Sequence, residues 1–207
     1  MSQRRGGTHL MGMPDTLRWT ADMVRALPDD GNRYELVDGV LIVTPAPSMP
    51  HQRAVSALNA ALLPYLQAVG IGYIFFPRME LSFGEDELLE PDLCVAPREK
   101  ALAAQHWPDL DEMLLVVEVL SPSTRPAHRL RKRKRYQRAR VPDYWVIDLD
   151  QGRVERWRPG TEQPEILTGR VVWQPAGARQ PLEIDLTALF REAIGTTSGA
   201  GGGFEGG

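Results

Sequence analysis

The chain has 207 residues, a formal net charge of −3 and a hydrophobic fraction of 43%, which suffices for the core of one medium-sized domain. Its one cysteine, Cys94, excludes an intramolecular disulfide and disfavours a cysteine-based zinc site. No apolar run approaches the ~20 residues of a membrane span, and the first residues lack the apolar core of a signal peptide, so we expect a cytoplasmic protein.

The first predicted elements are a short helix, a hairpin and a long helix. Thr20 is expected to cap the short helix, which ends near Leu27. Asp38-Gly39 lies between two apolar runs and is a strong hairpin signal. Apolar residues recur at helical spacing over 51–69, where Pro64 should kink the helix or mark its end.

From residue 71 onward the pattern is mostly that of short strands. The run 113–120 is apolar except for Glu118, which is typical of a central strand covered on both faces. A helix over 127–140 and a strand over 144–147 follow, and this order implies a right-handed parallel crossover. The remaining predicted elements are strands at 71–76, 79–83, 93–96, 153–158, 165–167, 171–173 and 182–184, a helical connection at 98–107 and a closing helix at 186–193. The sequence therefore predicts an α/β or α+β fold with a mixed sheet flanked by helices and an N-terminal β-hairpin.

The predicted domain organisation is one domain with two tails. Residues 1–14 are interpreted as a flexible leader and residues 196–207 as a disordered glycine-rich tail. No long linker divides residues 15–195, so they are predicted to form a single domain.

Two acids on neighbouring predicted strands are the first candidates for chemistry. Glu118 lies near the end of an apolar strand, where a carboxylate must be paired, metal-bound or at the open end of the sheet. Asp92 follows Pro91 at the start of its own strand. Two such acids can hold Mg²⁺ together with a backbone carbonyl and waters. A structural salt bridge from Glu118 to an arginine of the next helix is the open alternative.

Three other acids lie near these two in the sequence. Glu35, inside an apolar run before the hairpin turn, is a candidate third carboxylate of the site. Glu80 is expected to face solvent, and Glu90 is expected either at the surface or behind the site.

The predicted helix after Glu118 carries most of the local positive charge. Residues 121–140 hold nine Lys or Arg and no acid, which indicates either an anion-binding face or a solvated basic helix. Lys132 shares a helical face with Tyr136 and could stabilise charge on a phosphate or orient water. The candidate nucleic-acid contacts are Arg125, Arg129, Arg131 and Arg133.

Taken in order, these motifs resemble the Uma-type predicted restriction endonucleases of the PD-(D/E)XK nuclease superfamily. The resemblance covers roughly residues 16–190. It rests on the segments 34–39, 91–92, 117–124 and 141–148 and on the single residues His51, Lys132 and Tyr136.

The resemblance implies a magnesium site (with Mn²⁺ as an alternative) and nucleic acid, expected to be DNA, as substrate. Asp92 and Glu118 would be the metal-binding acids, Glu35 an additional acid, and Lys132 the lysine displaced onto the helix. Three positions depart from the pattern: Leu120 occupies the usual lysine position, His128 stands where an aspartate is common, and Arg140 replaces a frequent glycine.

The hypothesis from the sequence is a Mg²⁺-dependent endodeoxyribonuclease. Asp92, Glu118 and the Val119 carbonyl would hold the cation, and Lys132 would activate or orient the attacking water. The alternatives are a catalytically inactive DNA-binding module and an oligomeric scaffold with the same fold. A homodimer is left open, as are the recognition sequence and the strand preference.

Overall fold

The computed structural model describes residues 18–84, 87–120 and 126–195, with the side chains of residue 108 and of residues 126–128 left out. The predicted leader 1–14, the tail 196–207 and Arg125 lie outside these residues, so the domain boundaries stay a prediction. The elements in chain order are α1 (Ala21–Arg25), β1 (Arg33–Val37), β2 (Val40–Thr44), α2 (Met49–Val69), β3 (Gly72–Phe75), β4 (Leu93–Pro97), α3 (Arg98–Ala103), a 3-10 turn (Trp107–Asp109), β5 (Leu115–Val119), α4 (Pro126–Arg138), β6 (Tyr144–Asp148), β7 (Arg153–Trp157), β8 (Glu165–Leu167), β9 (Arg170–Trp173), β10 (Leu182–Asp185) and α5 (Leu186–Ile194).

A six-stranded mixed sheet forms the centre of the molecule, in the order β3-β4-β5-β6-β7-β8. Strands β5 and β6 pair in parallel, as the strand–helix–strand pattern predicted, and the other neighbours are antiparallel. Two further antiparallel pairs, β1–β2 and β9–β10, pack outside this sheet. The predicted fold class, a mixed sheet flanked by helices with an N-terminal hairpin, is confirmed.

Both faces of the sheet are covered by apolar side chains. On one face Val117 and Trp145 belong to a core shared with helices α2 and α5. On the other face Val116 and Tyr144 pack with the β1–β2 hairpin and with Tyr136 of α4. Because side chains alternate along a strand, one apolar run supplies both cores.

The hairpin turn forms where Asp38-Gly39 predicted it. Both residues have positive φ, 52° at Asp38 and 74° at Gly39, which is the backbone that a two-residue turn of this twist requires. Val37 therefore pairs with Val40, and the register of the whole hairpin follows from that pair. This register fixes which side chains of β1 face the main sheet.

Helix α2 begins and ends at capping residues. The Ser48 hydroxyl accepts a hydrogen bond from the His51 backbone N–H at 3.4 Å, and Gly70 closes the helix in the left-handed conformation. The helix runs to Val69, as the pattern over 51–69 predicted, so Pro64 does not mark its end. The predicted strand over 79–83 is reduced to one bridge between Leu81 and Leu89.

None of the helices in the described segments combines the length and the apolar character needed to cross a membrane.

Candidate active site

The register of β4 and β5 brings two of the predicted acids together. Leu93 pairs with Val117, so the next residues outward, Asp92 and Glu118, lie side by side on the same face. The Asp92 backbone N–H donates to the Val117 carbonyl at 3.1 Å, which extends the ladder by one step. The convergence expected from the sequence is therefore present at this end of the sheet.

Lys132 joins Glu118 to the third predicted acid. Its Nζ lies 2.7 Å from Glu118 Oε1 and 2.8 Å from Glu35 Oε1, and all three side chains are buried. The Glu90 backbone N–H also donates to Glu35 Oε1, at 2.8 Å. The lysine on α4 thus reaches the acids although Leu120 occupies the usual lysine position.

Asp92 is held by two side chains that sequence reasoning did not assign to the site. Arg33 Nη1 donates to Asp92 Oδ1 at 2.7 Å, and His51 Nε2 lies 3.0 Å from Oδ2. The Val119 backbone N–H donates to the same Oδ2 at 2.7 Å. In the sequence, His51 counts only as one residue of the family resemblance, and Arg33 is assigned no role. The available signal was that Arg33 and Glu35, two positions apart on a strand, share a face.

Tyr136 and Tyr144 pack beside Glu118. The Tyr136 hydroxyl donates to Glu118 Oε1 at 3.1 Å, and the two tyrosine rings lie 4.8 Å apart. Tyr136 follows Lys132 by one helical turn, so both reach the same carboxylate from α4. Burial raises the pKa of both tyrosines well above 10, and the charge of Glu118 adds to that rise. Tyr136 is therefore a stable hydrogen-bond donor to Glu118.

The two neighbouring acids have opposite electrostatic environments. Burial raises the pKa of Glu118 to about 7, and the negative charges of Asp92 and Glu35 add to the rise while Lys132 opposes it. Burial alone would also raise the pKa of Asp92, but the hydrogen bond from His51 and the charge of Arg33 outweigh it and hold that pKa below its usual range. Burial favours neutral Lys132, but Glu118 and Glu35 outweigh it and raise the lysine pKa. Such a pair of acids with divergent pKa values is characteristic of functional sites.

Three buried polar atoms of the site have no hydrogen-bond partner among the described residues: Arg33 Nε, Glu35 Oε2 and His51 Nδ1. The first two lie 3.7 Å apart, which is an ion-pair distance rather than a hydrogen bond. Unsatisfied buried groups are rare in folded proteins and often mark places where a ligand or water binds. They leave hydrogen-bonding capacity for a water or a ligand at this end of the sheet.

Two of the three predicted nucleic-acid contacts that lie in described α4 are engaged within the chain. Arg129 forms an ion pair with Glu155, and the Arg133 guanidinium lies 4.3 Å from the centre of the Trp157 ring. Arg131 is exposed and forms no ion pair with any described residue, and Arg125 lies outside the described residues. Among these arginines the structure thus leaves Arg131 as the open phosphate-binding candidate.

A cavity of about 830 Å³ opens beside the buried acids. Its walls come from α1, the β1–β2 hairpin, the first half of α2, the segment 76–80, the end of β5, and α4. Glu35, Asp92, Glu118 and Lys132 all line it, together with Arg33 and His51. Within the described ranges, no three His, Cys, Asp or Glu side chains are arranged to hold a metal ion together.

Comparisons with known proteins agree with this architecture. A family model, Uma2, described as "Putative restriction endonuclease", matches residues 21–187. The chain is also similar to a crystal structure of a putative nuclease belonging to DUF820 from Anabaena variabilis ATCC 29413. That similarity has a TM-score of 0.72 at 21% sequence identity and covers 84% of this chain and 99% of the other. No curated protein matches this chain.

Proposed function

This chain belongs to the Uma2 family, and from that premise we propose that it is a divalent-metal-dependent endonuclease that hydrolyses DNA phosphodiester bonds. The observation that carries the proposal is the contact of Lys132 with both Glu118 and Glu35, directly beside Asp92. Two acids and one amine in a single cavity are the groups that this reaction needs. The nuclease class rests on the family, whereas the metal and the residue roles are inferred from the site.

The donor set at this site suits a hard cation. Mg²⁺ keeps several waters and is usually bound through one or two carboxylates, which Asp92 and Glu118 would provide with the Val119 carbonyl. Lys132 holds Glu35 through Oε1. Its Oε2 accepts no hydrogen bond from the described residues and could accept one from a metal-bound water. Mn²⁺ prefers similar ligands and is the alternative. When bound, the ion would neutralise phosphate charge and lower the pKa of a bound water.

The side chains of the site have separate tasks in this proposal. The Lys132 ammonium donates hydrogen bonds to the negative charge that develops on the phosphoryl oxygens, and it orients the attacking water for in-line displacement. Arg33 and His51 position Asp92, and Tyr136 positions Glu118. Since each carboxylate is held by fixed donors, little reorganisation is needed when a substrate binds.

Cleavage of a plasmid and of a single-stranded oligonucleotide in Mg²⁺ tests this proposal. Glu118→Gln keeps the shape of the side chain and removes its negative charge, so we expect cleavage to fall by at least ~100-fold. The matched control is Glu87→Gln. Glu87 is a buried glutamate that pairs with Arg135 of α4, the helix that carries Lys132, but it does not line the cavity. Because the control loses a buried ion pair, thermal melting verifies that it folds, and the folded control should cleave within about threefold of wild type since the site is unchanged. Equal cleavage by Glu118→Gln and wild type would rule out this site.

A catalytically inactive DNA-binding module is the second candidate. It is favoured by the full engagement of both Asp92 oxygens by Arg33, His51 and the Val119 N–H. That candidate predicts salt-sensitive DNA binding without cleavage in Mg²⁺ or Mn²⁺. An oligomeric scaffold is less well supported, because α4 pairs most of its described cations within the chain and offers little free positive charge to another copy.

A further inference from the structure

Within the part of the chain that the structure describes, the proposed reactive groups are accessible only through the cavity. The exposed fractions of Glu35, Asp92, Glu118 and Lys132 are 0%, 1%, 7% and 7%. The cavity volume of about 830 Å³ falls within the roughly 300–1,000 Å³ of small-molecule pockets. A cavity of that size suits a small ligand or a short strand segment and cannot enclose a double helix.

Intact duplex DNA is poorly suited to such a cavity. Its strands are stacked and paired, and the helix is stiff over roughly 150 base pairs. Enzymes that do chemistry on a base extrude it from the duplex and lose stacking and pairing energy, and a paired nucleotide that entered this cavity would carry the same cost. An unpaired strand enters without that cost.

The outer cavity wall offers uncharged recognition groups. Gln52, Ser56 and Asn59 follow one another at helical spacing on α2 and line the cavity, with Gln52 and Ser56 exposed. Their amide and hydroxyl groups can donate and accept hydrogen bonds, as base edges and sugars require. On the opposing segment, Phe76 lines the cavity and is 42% exposed. Exposed aromatic rings serve as stacking platforms for the bases of single strands.

The cations of the cavity are balanced by acids. Arg25 pairs with Glu80 at 3.0 Å, and Arg78 pairs with Asp29 at 3.3 Å. Arg129 pairs with Glu155, while Arg33 and Lys132 hold the carboxylates of the site. Binding of duplex DNA depends on many free Lys and Arg at phosphates. These walls instead favour recognition by stacking and hydrogen bonding.

We propose that the substrate of this site is an unpaired DNA segment (a single strand, a flap or a frayed end). One base would stack on Phe76, and the neighbouring nucleotides would contact Gln52, Ser56 and Asn59 of α2. This inference rests on the proposed function for the cleavage step. The binding mode does not depend on whether cleavage occurs.

Fluorescence anisotropy with a labelled single-stranded oligonucleotide and the matching blunt duplex tests the binding mode. The measurements are made in Ca²⁺, which binds oxygen ligands as Mg²⁺ does but is not one of the proposed catalytic metals. We expect the single strand to bind at least ~10-fold more tightly than the duplex, and Phe76→Ala to weaken single-strand binding by about 10-fold. The logarithmic salt dependence should have a slope shallower than about −2, because fewer than about three phosphates meet free cations.

Trp107→Ala is the matched control, since Trp107 is 39% exposed and lies outside the cavity. It should leave single-strand affinity unchanged, and thermal melting of both variants verifies that they fold. Equal affinity for the two DNA forms, or unchanged single-strand binding by folded Phe76→Ala, would overturn the inference.

Cleavage assays in Mg²⁺ separate this inference from the proposed function. Faster cutting of the single strand or of a flap than of closed duplex supports both. Cutting of closed, relaxed duplex as fast as single strand overturns the inference and leaves the nuclease proposal standing. Phe76-dependent single-strand binding without cleavage supports the inference and contradicts the nuclease proposal.

Discussion

At the scale of single residues, Lys132 is the centre of the site. A buried ammonium is stable only where carboxylates surround it, and Glu35 and Glu118 both lie within 2.8 Å of its Nζ. Removing either acid leaves an incompletely compensated charge, and removing the lysine leaves two acids facing each other. The three groups therefore behave as one electrostatic unit, and substitutions among them should be strongly non-additive.

The elevated pKa of Glu118 predicts a pH-dependent affinity for Mg²⁺. Its pKa of about 7 lies above the ordinary 4.5, so below pH 7 the metal must displace a proton from the carboxyl group. We expect the dissociation constant for Mg²⁺, measured by calorimetry, to rise about tenfold per pH unit below 7 and to level off above it. Glu118→Gln should bind more weakly without that slope. An affinity that is constant from pH 5.5 to 8 would contradict the assignment of Glu118 as a ligand.

Sequence patterns predicted the acids of the site, and the two residues that hold Asp92 were missed for one shared reason. Asp92 and Glu118 stand out because an acid in an apolar strand requires a partner. Arg33 and His51 contact Asp92 from 59 and 41 positions away in the chain, and no local spacing encodes such a contact. The basic run likewise gives no sign of the partner of Arg129, because the carboxylate of Glu155 lies on a distant strand.

At the scale of elements, helix α2 has two faces with separate roles. Its apolar residues, including Leu58, pack on the central sheet, while Gln52 and Ser56 line the cavity. The helical period of the apolar residues made this element predictable. The helix continues past Pro64 because Pro64 and Leu63 are exposed, so the packed face on the other side of the helix stays intact.

Truncation of the packed face should destabilise the protein, whereas truncation of the exposed face should not. Leu58 is fully buried, so Leu58→Ala should lower the free energy of unfolding by about 2–5 kcal/mol. Leu63 on the same helix is 40% exposed, and Leu63→Ala should change it by less than about 1 kcal/mol. Urea denaturation followed by circular dichroism measures both values. Similar losses in the two variants would show that α2 does not pack as described.

At the scale of the whole molecule, the site exists only when distant elements are assembled. Glu35 comes from β1, Asp92 from the residue before β4, Glu118 from β5, Lys132 from α4 and His51 from α2. The strand pattern predicted the mixed sheet that gathers them, because a parallel crossover next to antiparallel neighbours has few arrangements. The packing of the hairpin against α4 depends on tertiary contacts and could only be seen in the structure.

Since the ligands come together only on folding, Mg²⁺ should stabilise the native state. At ten times its dissociation constant the ion should add about 1.4 kcal/mol, which raises the melting temperature by roughly 3–6 °C for a chain of this size. Calorimetry in Mg²⁺ and in EDTA at matched ionic strength measures this shift. Glu118→Gln should show a smaller rise, and equal melting temperatures for wild type in the two buffers would argue against a metal site.

The Arg33 guanidinium gives the folded chain an internal counter-ion for Asp92. A cluster of acids that awaits an external cation normally repels itself, and such proteins often need the ion in order to fold. Here a side chain from the neighbouring hairpin supplies the compensating charge from the outset. We therefore expect the chain to fold without added metal, and the proposed metal would replace one positive partner of Asp92 by another.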